Sequence, residues 1–237
     1  KDFRLDASSE TLLIEGDPDL EYLKEINQRY KSKDFLVLTF TPKESLTSES
    51  SINNILSLKY KIQSLNWVHS VVTILDVPLL ESSDEPLMDR IKNFRTLKDE
   101  NIDKDTAFNE ILNSPVFKNL VISEDATTTG IIVNLKRKKI LEFSAFDNEK
   151  KFEEYKDKLK YENHKNIKEI REVINSFKNI GKIHLGGIPM IADDMMTFIK
   201  KDIIVFGIGV FAFIIITLWF VFRKILWITI PISSCFF

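Results

Sequence analysis

From Ile203 to Phe222 the chain reads IIVFGIGVFAFIIITLWFVF, 20 residues without a charge. As an α-helix the run rises about 1.5 Å per residue and spans about 30 Å, the thickness of a bilayer's hydrocarbon core. Core helices of soluble proteins are usually shorter and broken by polar residues, so the run predicts a transmembrane helix over 203–222. Lys200, Lys201 and Asp202 mark one membrane boundary, and Arg223 and Lys224 the other. Trp219 lies near one end, where interfacial aromatics concentrate. Gly207 and Gly209 do not have the four-residue spacing of a helix-packing motif. The 13 residues ILWITIPISSCFF follow Lys224 and are too short to span. Residues 225–237 therefore predict the truncated start of a second transmembrane helix, forming a tight hairpin with the first. A start at Lys1 rather than Met, and an end inside an apolar run, predict a piece of a longer protein.

This run also divides the composition. The chain has 237 residues, with 35 acidic and 33 basic side chains, a net charge of -2. Only Arg223 and Lys224 are charged beyond residue 202, which leaves 31 bases against 35 acids before it, a net of -4. Hydrophobic residues make up 44% of the chain and aromatics 11%, which is not the composition of a disordered chain. No basic stripe is present, which sets nucleic-acid binding aside. The single cysteine, Cys235, excludes an intramolecular disulfide framework and a cysteine-cluster metal site. Its place in the apolar tail suits a small packing residue better than a reactive thiol. Orientation does not follow from local charge, because Lys200–Lys201 and Arg223–Lys224 tie.

The polar region reads as alternating helices and strands. Residues 1–16 predict an extended lead-in. Asp17-Pro18-Asp19 begins a helix, with Leu23, Ile26 and Tyr30 at helical spacing. Phe35–Thr41 predicts a strand ended by Pro42. Ser48 caps a helix whose inner face is Ile55, Leu58, Ile62 and Leu65. Trp67–Asp76 predicts a second strand, and residues 81–106 a charged loop with one short helix around Ile91 and Phe94. Thr106–Asn113 is a further short helix, stopped by Pro115. Leu120–Ile122 and Gly130–Leu135 predict a hairpin across a polar turn. A long helix follows over Asn148–Lys178, with a lapse in its apolar stripe at Asn163-His164 that suggests a kink. Ile183–Ile188 is a last strand, and Ile191 begins a helix running into the membrane. The order β, α, β, then β, β, α, β predicts an α+β fold, a ferredoxin-like βαβ sandwich with helices on one sheet face, followed by transmembrane α-helices.

No catalytic constellation emerges, and no catalytic, cofactor-binding or metal-ligating residue is assigned. His69, His164 and His184 are far apart in sequence and read as ordinary surface or half-buried histidines. No nucleophile elbow, phosphate loop or dinucleotide motif is present. Asp193 and Asp194 are adjacent, so on a helix they diverge and suit a helix start. Asp202, with Lys200 and Lys201, reads as a solvated boundary cluster or as a coupling contact. Lys136-Arg137-Lys138-Lys139 reads as a charged strand edge that discourages pairing. Gly186, Gly187 and Pro189 precede the last helix and form a candidate joint. Glycines permit unusual backbone angles there, and proline fixes one end.

Several segments together carry a family likeness. Phe3–Ser8, Leu12-Leu13, Asp17-Pro18-Asp19 and Asp34–Val37 form its first half. Val68–Pro78 (VHSVVTILDVP), Leu120–Val133 (LVISEDATTTGIIV), Gly186–Pro189 and the passage through Asp202 to Arg223 complete it. In order and spacing they resemble an RND-superfamily exporter of the MMPL/Patched-like branch, across essentially the whole chain. The resemblance implies an extracytoplasmic porter domain over 1–190, a connecting helix over 191–202 and the protein's second transmembrane helix over 203–222. The third would begin at 225–237. It also implies a proton-driven exporter of hydrophobic or amphiphilic, lipid-like molecules in a bacterial inner membrane, with residues 1–202 outside the cytoplasm. Its partners would be the lipid bilayer, the substrate, the remaining membrane helices, a second repeat of the same layout and other subunits of an oligomer. The family's proton-carrying acids belong to later membrane helices, so none is assigned. Two other readings remain: an ABC-type permease subunit with a large extracytoplasmic domain, and a membrane-anchored binding or sensor domain.

Overall fold

The computed structural model describes residues 34–79, 94–99, 102–136 and 145–223, with positions 18, 19, 22, 25, 26 and 29, which are helical. The chain divides into two compact units. One is Ser8–Asp193, and the other carries the described residues from Asp194 onward.

The first unit holds β1 (Phe35–Pro42), α1 (Glu49–Gln63), β2 (Val68–Val72), a 3-10 turn (Ile74–Asp76) and α2 (Lys104–Asn113). It continues with β3 (Thr129–Leu135), α3 (Glu149–Ser176), β4 (Gly181–Gly186) and the first residues of α4 (Ile188–Phe222). The strands form one sheet in the order β2-β3-β1-β4. All three pairings are antiparallel. The described fold is therefore α+β, with a four-stranded antiparallel sheet and one long apolar helix.

The period-2 pattern of β1 explains which face is covered. Leu36, Leu38 and Phe40 are fully buried, while Phe35 and Thr39 on the other side are exposed. Register extends this row across the sheet: Leu38 lies opposite Ile131 of β3 and Leu185 of β4. Ile55, Leu58 and Ile62 of α1 close over it with Ile167, Ile170 and Val173 of α3. Each fully buried aliphatic side chain stabilises the unit by about 1.5–3 kcal/mol relative to exposure. On the opposite face Lys182 and His184 of β4 stand in solvent.

Three helix starts follow from capping chemistry. Ser48, Asp103 and Asn148 each accept a first-turn N–H, from Ser51, Asp105 and Lys151. The Asp103 cap starts α2 two residues before Thr106.

Several expectations are corrected. Trp67–Asp76 is not one strand, because β2 ends at Val72. The Thr73 hydroxyl and the Asp76 carboxylate form a reciprocal capping box there and divert the chain into a 3-10 turn. Leu120–Ile122 is not a hairpin strand. Asn119 and Ala126 adopt positive φ of 63° and 55°, so the segment curls and pairs with the start of β3 through a single Ile122–Thr129 bridge, where the Val121 carbonyl accepts from the Gly130 N–H and the Thr129 hydroxyl. α3 runs unbroken through Asn163-His164 for 28 residues. β4 stops at Gly186, and α4 begins at Ile188 rather than Ile191. Asp193 and Asp194 consequently lie inside α4 and not at its start.

In the second unit α4 reaches Phe222, and Ile203–Phe222 lies wholly within it. Among the described residues it is the one helix long and apolar enough to cross a membrane, with a mean hydropathy of 2.8 and none of that stretch buried. Thr217 turns its hydroxyl back to the carbonyl of Phe213 at 2.8 Å, which removes an unsatisfied donor from the apolar surface. The lead-in 1–16, Leu23, Tyr30, residues 81–93 with Ile91, Arg137–Lys139, Lys224 and 225–237 with Cys235 lie outside the described residues.

Candidate functional site

The connection between β4 and α4 is a single residue, Gly187. Its φ of +123° belongs to a region that side-chain-bearing L-residues rarely enter. Space is equally restrictive. A Cβ there would lie 3.0 Å from the Phe35 carbonyl oxygen and 3.2 Å from both Leu36 Cα and Leu36 Cδ2. Gly187 also starts the helix, since its carbonyl accepts the N–H groups of Met190 at 3.1 Å and Ile191 at 3.0 Å. Pro189 occupies the first turn, where its missing N–H has no helical partner to lose. Gly186 differs. It pairs with Val37 at the end of β4, and an added Cβ would make only an ordinary 3.7 Å contact with the Val37 carbonyl. Of the two expected glycines, only Gly187 is demanded by the backbone.

A second set of contacts reaches this root from α3. Asn163 donates from Nδ2 to the Pro189 carbonyl at 2.8 Å. His164 Nδ1 lies 2.9 Å from Asp193 Oδ1 and 3.2 Å from Oδ2. An ionised carboxylate only accepts, so with Asp193 ionised it is Nδ1 that carries the proton. The Asp193 side chain is 9% exposed and that of His164 54%. Pro189 and Asp193 are four residues apart and share one side of α4. The sequence signal for this contact is the lapse of the apolar stripe at Asn163-His164, which marks polar contacts and not a break.

The remaining boundary residues are not gathered into the joint. Lys200, Lys201 and Asp202 are exposed on α4 in the second unit. Arg223 takes φ 50° and donates its N–H to the Trp219 carbonyl at 2.9 Å, ending the helix.

A charged cluster on the first unit was not expected. Asp76 Oδ1 accepts from Lys59 Nζ and Lys98 Nζ, both at 2.5 Å. Its Oδ2 accepts from the Thr73 N–H at 2.8 Å and the Thr73 hydroxyl at 2.9 Å. Burial raises the Asp76 pKa, but these four donors together outweigh it and hold the group at about 2. Burial lowers the Lys59 pKa, against the opposing pull of Asp76. The sequence signal is Lys59 itself, which falls on the inner stripe of α1 between Ile55 and Ile62. The cluster ties α1 to the turn after β2 and to the segment around Lys98, a structural task.

His69 lies in β2, His184 in β4 and His164 in α3. Among the described residues no group of three His, Cys, Asp or Glu side chains is placed to hold a metal ion. No family model and no curated protein matches this chain.

Proposed function

We propose that the chain is part of a proton-driven, RND-type exporter of hydrophobic or amphiphilic molecules in a bacterial inner membrane. One observation supports this reading above the rest. A β-α-β-α-β-α-β unit passes, through one glycine, from its last strand into one long helix whose residues 203–222 carry no charge and are long enough to span a membrane. We read the strand order β2-β3-β1-β4 as ferredoxin-like, as a porter domain requires. Residues 1–190 then stand outside the cytoplasm, 191–202 connect, 203–222 cross the bilayer and 225–237 begin the next crossing. Gly187 and Pro189 act as the joint, and the unbroken helix carries movement between bilayer and porter domain. Proton-carrying acids belong to other membrane helices, in keeping with the absence of charge from 203–222.

The test is accumulation of a lipophilic fluorescent dye in host cells with and without the intact gene. Cells lacking it should accumulate several-fold more dye, and a protonophore should abolish the difference while ATP is maintained. Extrusion that survives the protonophore and stops on ATP depletion would assign the chain to an ATP-driven permease. Equal accumulation in both strains would leave a binding or sensor domain.

A further inference from the structure

We propose that Asn163 and His164 of α3 form a latch on the first two turns of α4. Its closure decides whether that root moves with the α/β body. The latch is a conformational device, and its closure is independent of the function proposed above.

Little else holds the root. Of its apolar side chains, Met190 packs against the core, while Ile188 and Ile191 are 67% and 49% exposed. Behind them the chain is joined to β4 by Gly187 alone, a residue with no side chain to pack. Pro189 and Ala192 are half-buried but small, and a helix start whose two isoleucines are exposed gains little from burial. Polar contacts therefore have unusual weight there.

Those contacts come from a firmly seated element. Ile167, Ile170, Val173 and Ile174 are buried and fix the following turns of α3 in the core. Asn163 and His164 stand on the next turn outward, at the edge of that anchored stretch. Both reach the same side of α4, one to the backbone at Pro189 and one to the side chain of Asp193, one turn on. The Pro189 carbonyl has two lone pairs, so it accepts the Asn163 amide without leaving the helix ladder.

The pair has two defined states. With the latch closed, the largely buried Asp193 carboxylate has His164 as its donor. With it open, that carboxylate is left without this donor and must turn to water, which takes the root away from α3. His164, more than half exposed, is the side from which solvent enters. A contact that is satisfied in one arrangement and solvated in the other, beside a one-residue joint, gives a discrete change and not a gradual drift.

Hydrogen exchange of the full chain in lipid nanodiscs tests the proposal, read at the amides of Ile191 and Asp193 against those of Ile170 and Leu38. In the double variant Asn163→Ala/His164→Ala the first two should exchange at least fivefold faster, and the second two should change less than twofold. His164→Gln retains an N–H donor and should remain below fivefold. The latch is overturned by acceleration below fivefold at Ile191 and Asp193, by twofold or greater acceleration at Ile170 and Leu38, or by His164→Gln reaching fivefold. If the double variant does not fold, His164→Ala alone is read against the same thresholds.

Discussion

Replacing Gly187 by alanine should be costly, and replacing Gly186 should not, although the two are neighbours and identical. At Gly187 two penalties combine. Holding a non-glycine residue at φ +123° costs about 1–3 kcal/mol. The added methyl also meets the Phe35 carbonyl oxygen at 3.0 Å and the backbone of Leu36 at 3.2 Å. These neighbours belong to β1, a central strand paired on both sides, so they cannot withdraw cheaply. Overpacking of this kind costs a further 1–3 kcal/mol or so. The sum, taken conservatively, is about 2–4 kcal/mol, or roughly a 30-fold to several-hundred-fold fall in the folding equilibrium. At Gly186 the methyl finds a 3.7 Å contact and no positive φ. Alanine there also restricts the unfolded chain, so the change should lie within about 0.5 kcal/mol of zero or be slightly stabilising. Urea unfolding in detergent micelles provides the measurement. Trp67 donates to Glu169 of α3 at 2.8 Å, so its emission reports whether α3 is docked. Trp219 and Trp227 are replaced by Phe in every variant so that Trp67 is read alone. A loss below about 0.5 kcal/mol for Gly187→Ala would refute the argument, as would equal losses at the two positions.

Two further predictions concern charge and topology. Asp76 has a folded pKa of about 2, below the ordinary unfolded value of about 3.9, so its contribution is present above pH 4 and is lost as pH falls toward 2. The shift corresponds to about 2–3 kcal/mol, which solvent screening of this partly exposed group reduces to about 2 kcal/mol or less; Asp76→Asn should flatten the stability profile between pH 4 and pH 2, and an unchanged acid limb would dismiss the cluster's role. In the intact protein with Cys235→Ser, a membrane-impermeant thiol reagent added outside should label Ser83→Cys and spare Lys224→Cys; the reverse pattern would invert the proposed topology.

Local chemistry made much of the fold legible. Ser48 before the Ile55–Ile62 stripe announces α1 with its cap, because both signals lie within a few turns of one another. The apolar run 203–222 is legible because its demand is simple: length without charge. The expected strand at Trp67–Asp76 failed where a local bond outcompeted a ladder bond. Thr73 and Asp76 satisfy each other three residues apart, and no apolar pattern reports that choice. The failure at Leu120–Ile122 has a different cause. The Leu120 carbonyl comes so close to Gly130 that a Cβ there would lie 2.8 Å away, an approach made by the curled backbone and not by side-chain alternation.

The two polar clusters join these cases. Lys59 stands beside Leu58 on the inner face of α1, Asn163-His164 stands where the α3 stripe lapses, and each polar residue on such a face marks a tertiary polar contact. A stripe can mark where such a contact must be made, because a polar group on an inner face needs a partner. It cannot name the partner. Asp76 is 17 residues from Lys59, Pro189 is 26 from Asn163, and Asp193 is 29 from His164. Each partner also suggests a different local role: Asp76 a strand end, Pro189 a joint, Asp193 a helix start. Sequence therefore places half of each contact, and only the fold supplies the other half. For that reason the latch on α4 became visible only once α3 ran unbroken through the residues expected to kink it.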